Sequence, residues 1–273
     1  MNFDDLIKKD FTFEKKEFER ELLDTFDIQR IDDDDFIRTY LTPNGNRYAS
    51  VTSVLGLTKK DDFLGKWKDK LGNNYNYWNE LREGEKLSPE KLKEISEQLG
   101  KDIAERSSTR GNYMHDTLEQ YTYGNPLTYE EDKAFLVENM VPLLHDNLGK
   151  IFGIEMQLWS DSLEVAGTLD LFAMYNGVLS IVDYKNSLKP RSSKFNEDYY
   201  IQSCIYACMV YERYGMMPEQ IVILVSINNP LSNVKRQEFI VKVSDILPKL
   251  KKRISEYRKT PIYKQLKEKV ANE

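Results

Sequence analysis

The hydrophobic positions of this chain change their spacing along its length, from helical to strand-like and back. Apolar residues three and four positions apart predict helices over residues 13–26, 111–121, 129–148 and 197–214. Alternating or continuous apolar residues predict strands over residues 154–159, 165–175, 178–185, 221–227 and 236–243. The order of helix, three strands, helix and two strands is typical of an α/β fold with a mixed sheet.

Smaller elements are expected before and after this core. Residues 36–41 and 47–51 flank the turn sequence Pro43-Asn44-Gly45-Asn46 and predict a hairpin. The polar stretch 72–100 predicts a loop and then a helix, and it could act as a lid or arm. Further helix starts follow from capping residues and from proline at a first helical position. The candidate caps are Thr52 or Ser53, Asp61 or Asp62, Ser88 before Pro89, and Ser244.

The Asn176-Gly177 dipeptide lies between two apolar strands, where Asn-Gly favours a two-residue hairpin loop. If these residues form the loop, counting outward along both strands pairs Asp170 with Asp183. Directly opposed residues of an antiparallel pair point to the same face, about 5 Å apart. Lys185 lies two positions beyond Asp183 and shares that face. The hairpin therefore predicts a cluster of two aspartates and one lysine.

Facing carboxylates repel each other unless a cation binds between them, and their oxygen atoms suit Mg²⁺ or Mn²⁺. Lys185 could then position or deprotonate a water molecule, or stabilise charge that develops on a phosphate. The alternative is a solvent-facing patch in which Lys185 neutralises the two aspartates.

Two predicted helix faces could supply supporting residues. His115 and Glu119 lie four positions apart, so the histidine could bind a metal while the glutamate orients it or holds a metal-bound water. An ordinary surface pair would explain them as well. Gln202 and Tyr206 share a face of a later helix, where they could contact a nucleotide or brace Lys185. A plain polar helix edge is the alternative for this second pair.

Contacts to a nucleic acid are expected from the residues that follow the Asp183 strand. Lys189, Arg191 and Lys194 lie in the next loop and could meet phosphates, and Tyr199 could stack on a base. A solvated loop is the simpler alternative. The net charge of −6 argues mildly against non-specific binding to nucleic acid, although an acidic chain can still present a basic groove.

Composition excludes several classes of protein. No apolar run approaches the roughly 20 residues of a membrane helix, and the acidic N-terminal sequence lacks the features of a signal or transit peptide. We therefore expect a cytoplasmic protein without a membrane partner. Cys204 and Cys208, the two cysteines, are too few for a disulfide framework or an iron–sulfur cluster and are predicted to be buried thiols.

Taken together, these motifs resemble the RecB-type branch of the PD-(D/E)XK nucleases. The matching segments are Arg110-Gly111 through His115 and Glu119, Gly167 to Asp170, Asp183 to Ser187, and Gln202 with Tyr206. Upstream, Ser50 to Gly56 and Leu64 to Gly72 resemble phage exonucleases and the mitochondrial genome maintenance exonuclease. The resemblance covers roughly residues 40 to 230.

The resemblance implies a restriction-endonuclease-like core, in which helices flank a central mixed β-sheet, with N-terminal hairpin and helical additions. It implies hydrolysis of DNA phosphodiester bonds with Mg²⁺ or Mn²⁺ held by His115, Asp170, Asp183 and the Tyr184 carbonyl. The other catalytic positions that it implies are Lys185, which acts on the water, with Glu119, Gln202 and Tyr206. Arg110 would contact DNA. Asn186 stands where threonine is common, and the four cysteines of the iron–sulfur members are absent.

We therefore expect a metal-dependent DNA exonuclease that acts on single strands or free ends in replication, recombination or repair, alongside other proteins of these processes. The alternatives are a structure-selective endonuclease for flaps or branches, and a non-catalytic DNA-binding protein on a nuclease fold. The resemblance also suggests a phage origin. One domain is expected, with an N-terminal extension over 1–100, a catalytic core over 101–243 and basic C-terminal helices over 244–273.

Overall fold

The computed structural model describes residues 16–32, 37–59, 63–84, 86–127, 130, 132–229 and 231–272. Within these residues, eight strands form one mixed sheet with helices on both faces. The strands are β1 (Gln29–Ile31), β2 (Thr39–Leu41), β3 (Arg47–Ser50), β4 (Leu148–Ser160), β5 (Val165–Tyr175), β6 (Val178–Ser187), β7 (Gln220–Ile227) and β8 (Arg236–Lys242). The predicted α/β class is confirmed, and the arrangement is consistent with a restriction-endonuclease-like core.

In the described ranges, the α-helices lie between β3 and β4 (five), between β6 and β7 (one) and after β8 (two). They are α1 (Val51–Leu57), α2 (Phe63–Glu83), α3 (Pro89–Thr122), α4 (Ala134–Glu138), α5 (Val141–Asn147), α6 (Glu197–Tyr214), α7 (Val243–Tyr257) and α8 (Pro261–Asn272). Helix α6 has the predicted bounds. No helix in the described ranges is long and apolar enough to cross a lipid bilayer.

The sheet has the order β1-β2-β3-β5-β6-β7-β8, and β4 pairs with β5. Strand β5 runs antiparallel to β4 and β6, whereas β6 and β7 are parallel and are connected through α6. The hairpin predicted around residues 43–46 is present, with Thr39 opposite Ala49. At the second predicted hairpin, Asn176 and Gly177 have φ values of 51° and 74°, as a two-residue loop of this kind requires.

Hydrophobic side chains form a core on each face of the sheet. Helices α1, α6 and α7 cover one face, where Phe172 and Ile205 are fully buried. The last part of α3, with α4 and α5, covers the other face, where Met114 and Leu118 are fully buried. The sheet is therefore a middle layer, and its long central strands are shielded from water on both sides.

The helix predicted over residues 13–26 is wrong for the described part, residues 16–26, which is extended. Here the backbone bonds to the edge of β4: Glu21 N–H donates to Ile151 O at 2.9 Å, and Leu23 N–H donates to Phe152 O at 2.9 Å. Phe18 is buried but Leu22 is exposed, so the helical spacing of apolar residues does not form one buried face. Residues 13–15 lie outside the described ranges.

The region from 72 to 122 is more helical than predicted. Helix α2 continues through the predicted loop to Glu83, and α3 starts after the predicted cap Ser88 but runs without a break past Gly111. Glycine inside a helix costs only about 1 kcal/mol relative to alanine, which the packing of the last part of α3 offsets. A Cβ on Gly111 would lie 3.3 Å from Asn186 Nδ2, so glycine allows this helix to approach β6 closely.

Three smaller predictions also need correction. The helix predicted over 129–148 is divided into α4 and α5, with Pro142 at the start of the second, and Leu148 already belongs to β4. Ser50 caps α1 by accepting from Ser53 N–H, in place of the predicted Thr52 or Ser53. Lys242 occupies the cap position of α7 in place of Ser244. The caps predicted at 61 and 62 lie outside the described ranges.

Candidate active site

The two aspartates of the predicted cluster lie where β5 and β6 separate. The strands pair with the predicted register from Tyr175–Val178 to Leu171–Val182, and the ladder ends just before Asp170 and Asp183. Beyond this point β5 continues between β4 and β3, while β6 continues beside β7. Tyr184 N–H, at the point of separation, donates to Asp170 Oδ2 at 2.8 Å. The separation opens a gap in the sheet at the position of the carboxylates.

Glu155 of β4 lies beside this gap in an uncommon backbone conformation. Its φ is 46°, in the left-handed region that is costly for residues other than glycine. The preceding Ile154 packs into the core below α3, whereas the following Met156 packs into the core of the opposite face. The strict alternation predicted over 154–159 is therefore broken at Glu155, whose side chain turns toward Asp170.

His115, Glu155 and Asp170 form one group, here called the metal-ligand group. Among the described residues, these three offer ligand atoms that all lie within 4.8 Å of one another. His115 Nδ1 lies 3.4 Å from Asp170 Oδ1 and 3.9 Å from Glu155 Oε1. Two carboxylates and one imidazole fit a divalent cation; oxygen ligands suit Mg²⁺ and Mn²⁺ alike, and the imidazole favours a transition metal.

Asp183 is adjacent to the metal-ligand group. Its carboxylate pairs with Lys185, whereas the sequence predicted that it would face Asp170. Its side chain is 2% exposed, and its Oδ2 lies 2.6 Å from Lys185 Nζ. The Lys185 ammonium also lies 5.1 Å from the centre of the Tyr199 ring. Asp170, Asp183 and Lys185 lie close together, as the predicted register implies, and Glu155 adds a candidate ligand that was not predicted.

Burial and neighbouring charges shift the pKa values at this site in different directions. Burial is the largest single influence on His115 and would lower its pKa, but the Asp170 and Glu155 carboxylates together outweigh it and raise that pKa to about 10. Burial, with Asp170 nearby, raises the pKa of Asp183 to about 6 although Lys185 opposes the shift. Burial likewise raises the pKa of Glu155. The site without a metal therefore holds a cationic imidazole among carboxyl groups, two of which have raised pKa values.

A cleft of about 570 Å³ leads to the metal-ligand group. Its lining comprises Arg30, Arg38, Tyr40, Ser50, Val51, Thr52, Asn112, His115, Asp116, Glu119, Glu155, Gly167, Thr168, Gln202 and Tyr206. Three predicted residues therefore share the cleft with His115, namely Glu119, Gln202 and Tyr206. A Cβ on Gly167 would lie 3.1 Å from the Tyr206 ring, so glycine allows β5 to lie against this tyrosine.

The residues predicted to contact DNA differ in exposure and in position relative to the cleft. Lys189 and Lys194 are exposed. Arg191, however, lies 4.8 Å from the centre of the Tyr199 ring and donates to the Tyr199 hydroxyl and to Phe195 O. Arg110 lines a separate surface depression with Asp102, Arg106 and Lys133, among others. Arg191 and Tyr199 thus contact each other within the chain, and Arg110 lies outside the cleft.

Sequence reasoning missed Glu155, Arg30 and Arg38. An acidic residue inside the apolar segment 154–159 is the signal that marks Glu155, but alternation assigned it to an exposed face. The two arginines precede and follow an acidic block, and nothing in their spacing relates them to residues more than 70 positions later. Their place in the cleft follows from the position of the β1–β2 hairpin, which brings both arginines into the same lining as His115 and Glu155.

No protein-family model matches the sequence, and no curated protein matches it. Among solved structures, the chain is similar to a phage-related exonuclease from Haemophilus somnus 129PT, with 14% sequence identity and a TM-score of 0.31, over 57% of this chain and 81% of that chain. It is similar to a proposed exonuclease from Eubacterium rectale, with 12% identity and a TM-score of 0.33, over 56% of this chain and 67% of that chain.

Proposed function

We propose that this chain is a metal-dependent nuclease that hydrolyses phosphodiester bonds of DNA. The observation that carries the proposal is the metal-ligand group, whose ligand atoms lie within 4.8 Å of one another. His115 and Glu155 of this group line the cleft, and the nearby Lys185 pairs with the buried Asp183. A structural surface patch would not combine three converging ligand side chains with a nearly buried lysine. The motif resemblance to PD-(D/E)XK nucleases supports the same reaction.

The roles of the residues follow from their positions. His115, Glu155 and Asp170 would hold Mn²⁺ or Mg²⁺, and Asp183 would contribute negative charge beside them. A bound divalent cation supplies Lewis acidity toward a phosphate oxygen and a water of lowered pKa. Lys185, fixed by Asp183, would hold the attacking water or the phosphate oxygen by a hydrogen bond from Nζ. Gln202 and Tyr206, which line the cleft, would orient the strand.

The substrate within this class is proposed to be single-stranded or free-ended DNA, processed by an exonuclease mode in replication, recombination or repair. Its proposed place of action is the cytoplasm. A flap or branch endonuclease would use the same residues, and closed circular substrates separate the two modes.

The experiment is cleavage of end-labelled linear and closed circular single-stranded DNA with Mn²⁺ or Mg²⁺. Asp170→Asn and Lys185→Met are expected to lose at least about 100-fold in kcat, because the first removes a proposed metal ligand and the second removes the ammonium proposed to hold the attacking water or the phosphate oxygen. Asp102→Asn is the matched control, since Asp102 is a half-exposed carboxylate of the same helix as His115 but does not line the cleft.

Three results are informative. Degradation of linear but not circular DNA, lost in the two site variants and kept in Asp102→Asn, would support an exonuclease. Cutting of circular DNA would favour the endonuclease mode. A folded wild-type protein that cleaves no DNA with either metal would contradict the proposed function and favour a non-catalytic DNA-binding protein.

A further inference from the structure

Two arginines line the same cleft as the metal-ligand group, and the local strand geometry sets them side by side. Arg30 lies in β1 and pairs directly with Tyr40 of β2, while Ile31 pairs with Thr39. The next position on each strand is Asp32 and Arg38, so these two residues are cross-strand neighbours just past the ladder. Side chains two apart on a strand share a face. Arg30, Asp32 and Arg38 therefore project from the same face of the hairpin.

One carboxylate connects the two guanidinium groups. Arg30 Nε donates to Asp32 Oδ2 at 2.8 Å, and Arg38 Nε donates to Asp32 Oδ1 at 3.0 Å. Neither arginine uses its Nη groups for a hydrogen bond or an ion pair with any residue in the described ranges. The three residues carry a net charge of +1. We call Arg30 and Arg38, held by Asp32, the arginine pair.

Stability does not account for this arrangement. The side chains of Arg30 and Arg38 are 46% and 42% exposed, and exposed ion pairs of this kind contribute little to folding. What the arrangement does provide is two guanidinium groups with fixed orientation and with their outer N–H groups available. Planar guanidinium donors match the oxygen atoms of a phosphate, and orienting them before binding lowers the entropic cost.

The position of the arginine pair selects the ligand. The cleft contains acidic side chains at the metal-ligand group, and the arginine pair is the basic part of the same cavity. A polyanion that places one phosphate at the metal-ligand group would present a neighbouring phosphate to another part of the cleft wall. We infer that the arginine pair binds a second phosphate of the nucleic-acid strand, apart from the one that is cleaved. This inference rests on the proposed nuclease function.

The test is binding of a fluorescein-labelled single-stranded oligonucleotide in EDTA, which prevents cleavage, at several salt concentrations. Arg30→Gln/Arg38→Gln is expected to bind roughly 10- to 100-fold more weakly than wild type, since charge-assisted hydrogen bonds are lost. The slope of log Kd against the logarithm of the salt concentration should decrease by about one for each phosphate contact that is lost. Arg30→Lys/Arg38→Lys keeps the charges without the planar donors, so its affinity for the oligonucleotide should lie between those of wild type and Arg30→Gln/Arg38→Gln.

The matched control is Arg82→Gln/Lys86→Gln, which also removes two positive charges. Both residues are highly exposed, pair with Glu83 and Glu80 respectively, and lie outside the cleft. This control should bind within about twofold of wild type. Circular dichroism should show that all variants are folded. Equal affinity and equal salt slope for Arg30→Gln/Arg38→Gln and the control would overturn the inference.

Two further comparisons are informative. The first distinguishes an internal phosphate from a terminal one, and the second distinguishes failure of this inference from failure of the proposed nuclease function. If the arginine pair binds an internal phosphate, Arg30→Gln/Arg38→Gln should weaken binding of a 5′-phosphorylated and a 5′-hydroxyl oligonucleotide equally. If it binds a terminal phosphate, the double variant should weaken binding of the 5′-phosphorylated oligonucleotide only. If wild type cleaves DNA but the double variant binds like the control, only the phosphate site is wrong. If wild type neither binds nor cleaves DNA, the proposed function fails and this inference fails with it.

Discussion

The ammonium group of Lys185 lies 2.6 Å from Asp183 Oδ2, and both side chains project from the same face of β6. Asp183 is almost fully buried, and Lys185 is the cation that pairs with it directly. Removing a single partner from a buried pair leaves an uncompensated charge, which is far more costly than removing both.

We therefore expect Lys185→Met to lower the free energy of unfolding of the metal-free protein by about 3 kcal/mol, and Asp183→Asn/Lys185→Met to lower it by less. Urea unfolding in EDTA measures both. Lys249→Met is the control, because Lys249 pairs at 2.6 Å with Glu197 on the surface and should contribute under about 1 kcal/mol. A Lys185→Met protein as stable as the control would contradict the buried-pair interpretation.

Glu155 is expected to combine a cost in stability with a contribution to metal binding. Its φ of 46° is unfavourable for glutamate and acceptable for glycine. Glu155→Gly should therefore raise the free energy of unfolding in EDTA by about 1 kcal/mol while weakening Mn²⁺ binding by at least about 100-fold. Glu155→Gln should weaken Mn²⁺ binding without that gain in stability. Denaturation and calorimetric titration with Mn²⁺ measure the two effects.

Asn176→Gly serves as the control for this second prediction. Asn176 also has a positive φ, of 51°, but lies in the turn between β5 and β6, away from the metal-ligand group. Asparagine tolerates this conformation better than glutamate, so only a small stability change and no change in metal binding are expected. Unchanged Mn²⁺ affinity in Glu155→Gln would remove Glu155 from the metal-ligand group.

The sequence predicted the parts of the site that depend on local rules. Asn176-Gly177 determined the register of β5 and β6, and that register placed Asp170 and Asp183 at adjacent positions. The bounds of α6 followed from its apolar spacing. Glu155 was not predictable, because alternation assumes ordinary strand dihedrals and this residue departs from them.

Elements without a dominant local signal were predicted less well. Residues 16–26 have helical apolar spacing but form backbone hydrogen bonds to the edge of β4, an interaction that no local pattern contains. Gly111 suggested a helix start, whereas it lies inside one long helix, at a point where the helix approaches Asn186 closely. In both cases a tertiary contact outweighed a local preference.

Metal binding is expected to release a proton at neutral pH. The raised pKa of His115, about 10, lies above the ordinary value of 6.5, so the ring is protonated at pH 7 in the metal-free protein. A metal-bound imidazole must be neutral, so binding displaces this proton. Mn²⁺ titrations in buffers of different ionisation enthalpy should show about one proton released at pH 7.5, and affinity should increase as pH rises toward 10.

The same shift has an opposite consequence for stability without metal. A group whose folded pKa is raised stabilises the protein fully below its unfolded value of about 6.5, and this contribution is lost as pH rises through 10. His115→Gln should remove that pH dependence and the proton release together. If wild type releases no proton on Mn²⁺ binding, the charged state of His115 in the free protein is contradicted.

Tyr199 is expected to position Lys185 for catalysis without binding the metal. Its ring centre lies 5.1 Å from Lys185 Nζ and 4.8 Å from Arg191 Cζ, and its hydroxyl accepts from Arg191 Nη1 at 3.1 Å. Tyr199→Leu removes both cation–π contacts and should lower kcat about tenfold, because Lys185 gains alternative rotamers. Tyr199→Phe keeps the ring and should retain most activity.

A purely structural role for Tyr199 predicts a different outcome. If the tyrosine only supports the fold, Tyr199→Leu should lower the thermal midpoint and reduce Mn²⁺ affinity and kcat together. If it positions Lys185, Mn²⁺ affinity stays unchanged while kcat falls, and Tyr199→Phe restores kcat. Calorimetric titration with Mn²⁺, carried out beside measurements of DNA cleavage rates, separates the two roles, because Tyr199 is not a member of the metal-ligand group, whereas Lys185 lies beside its ring.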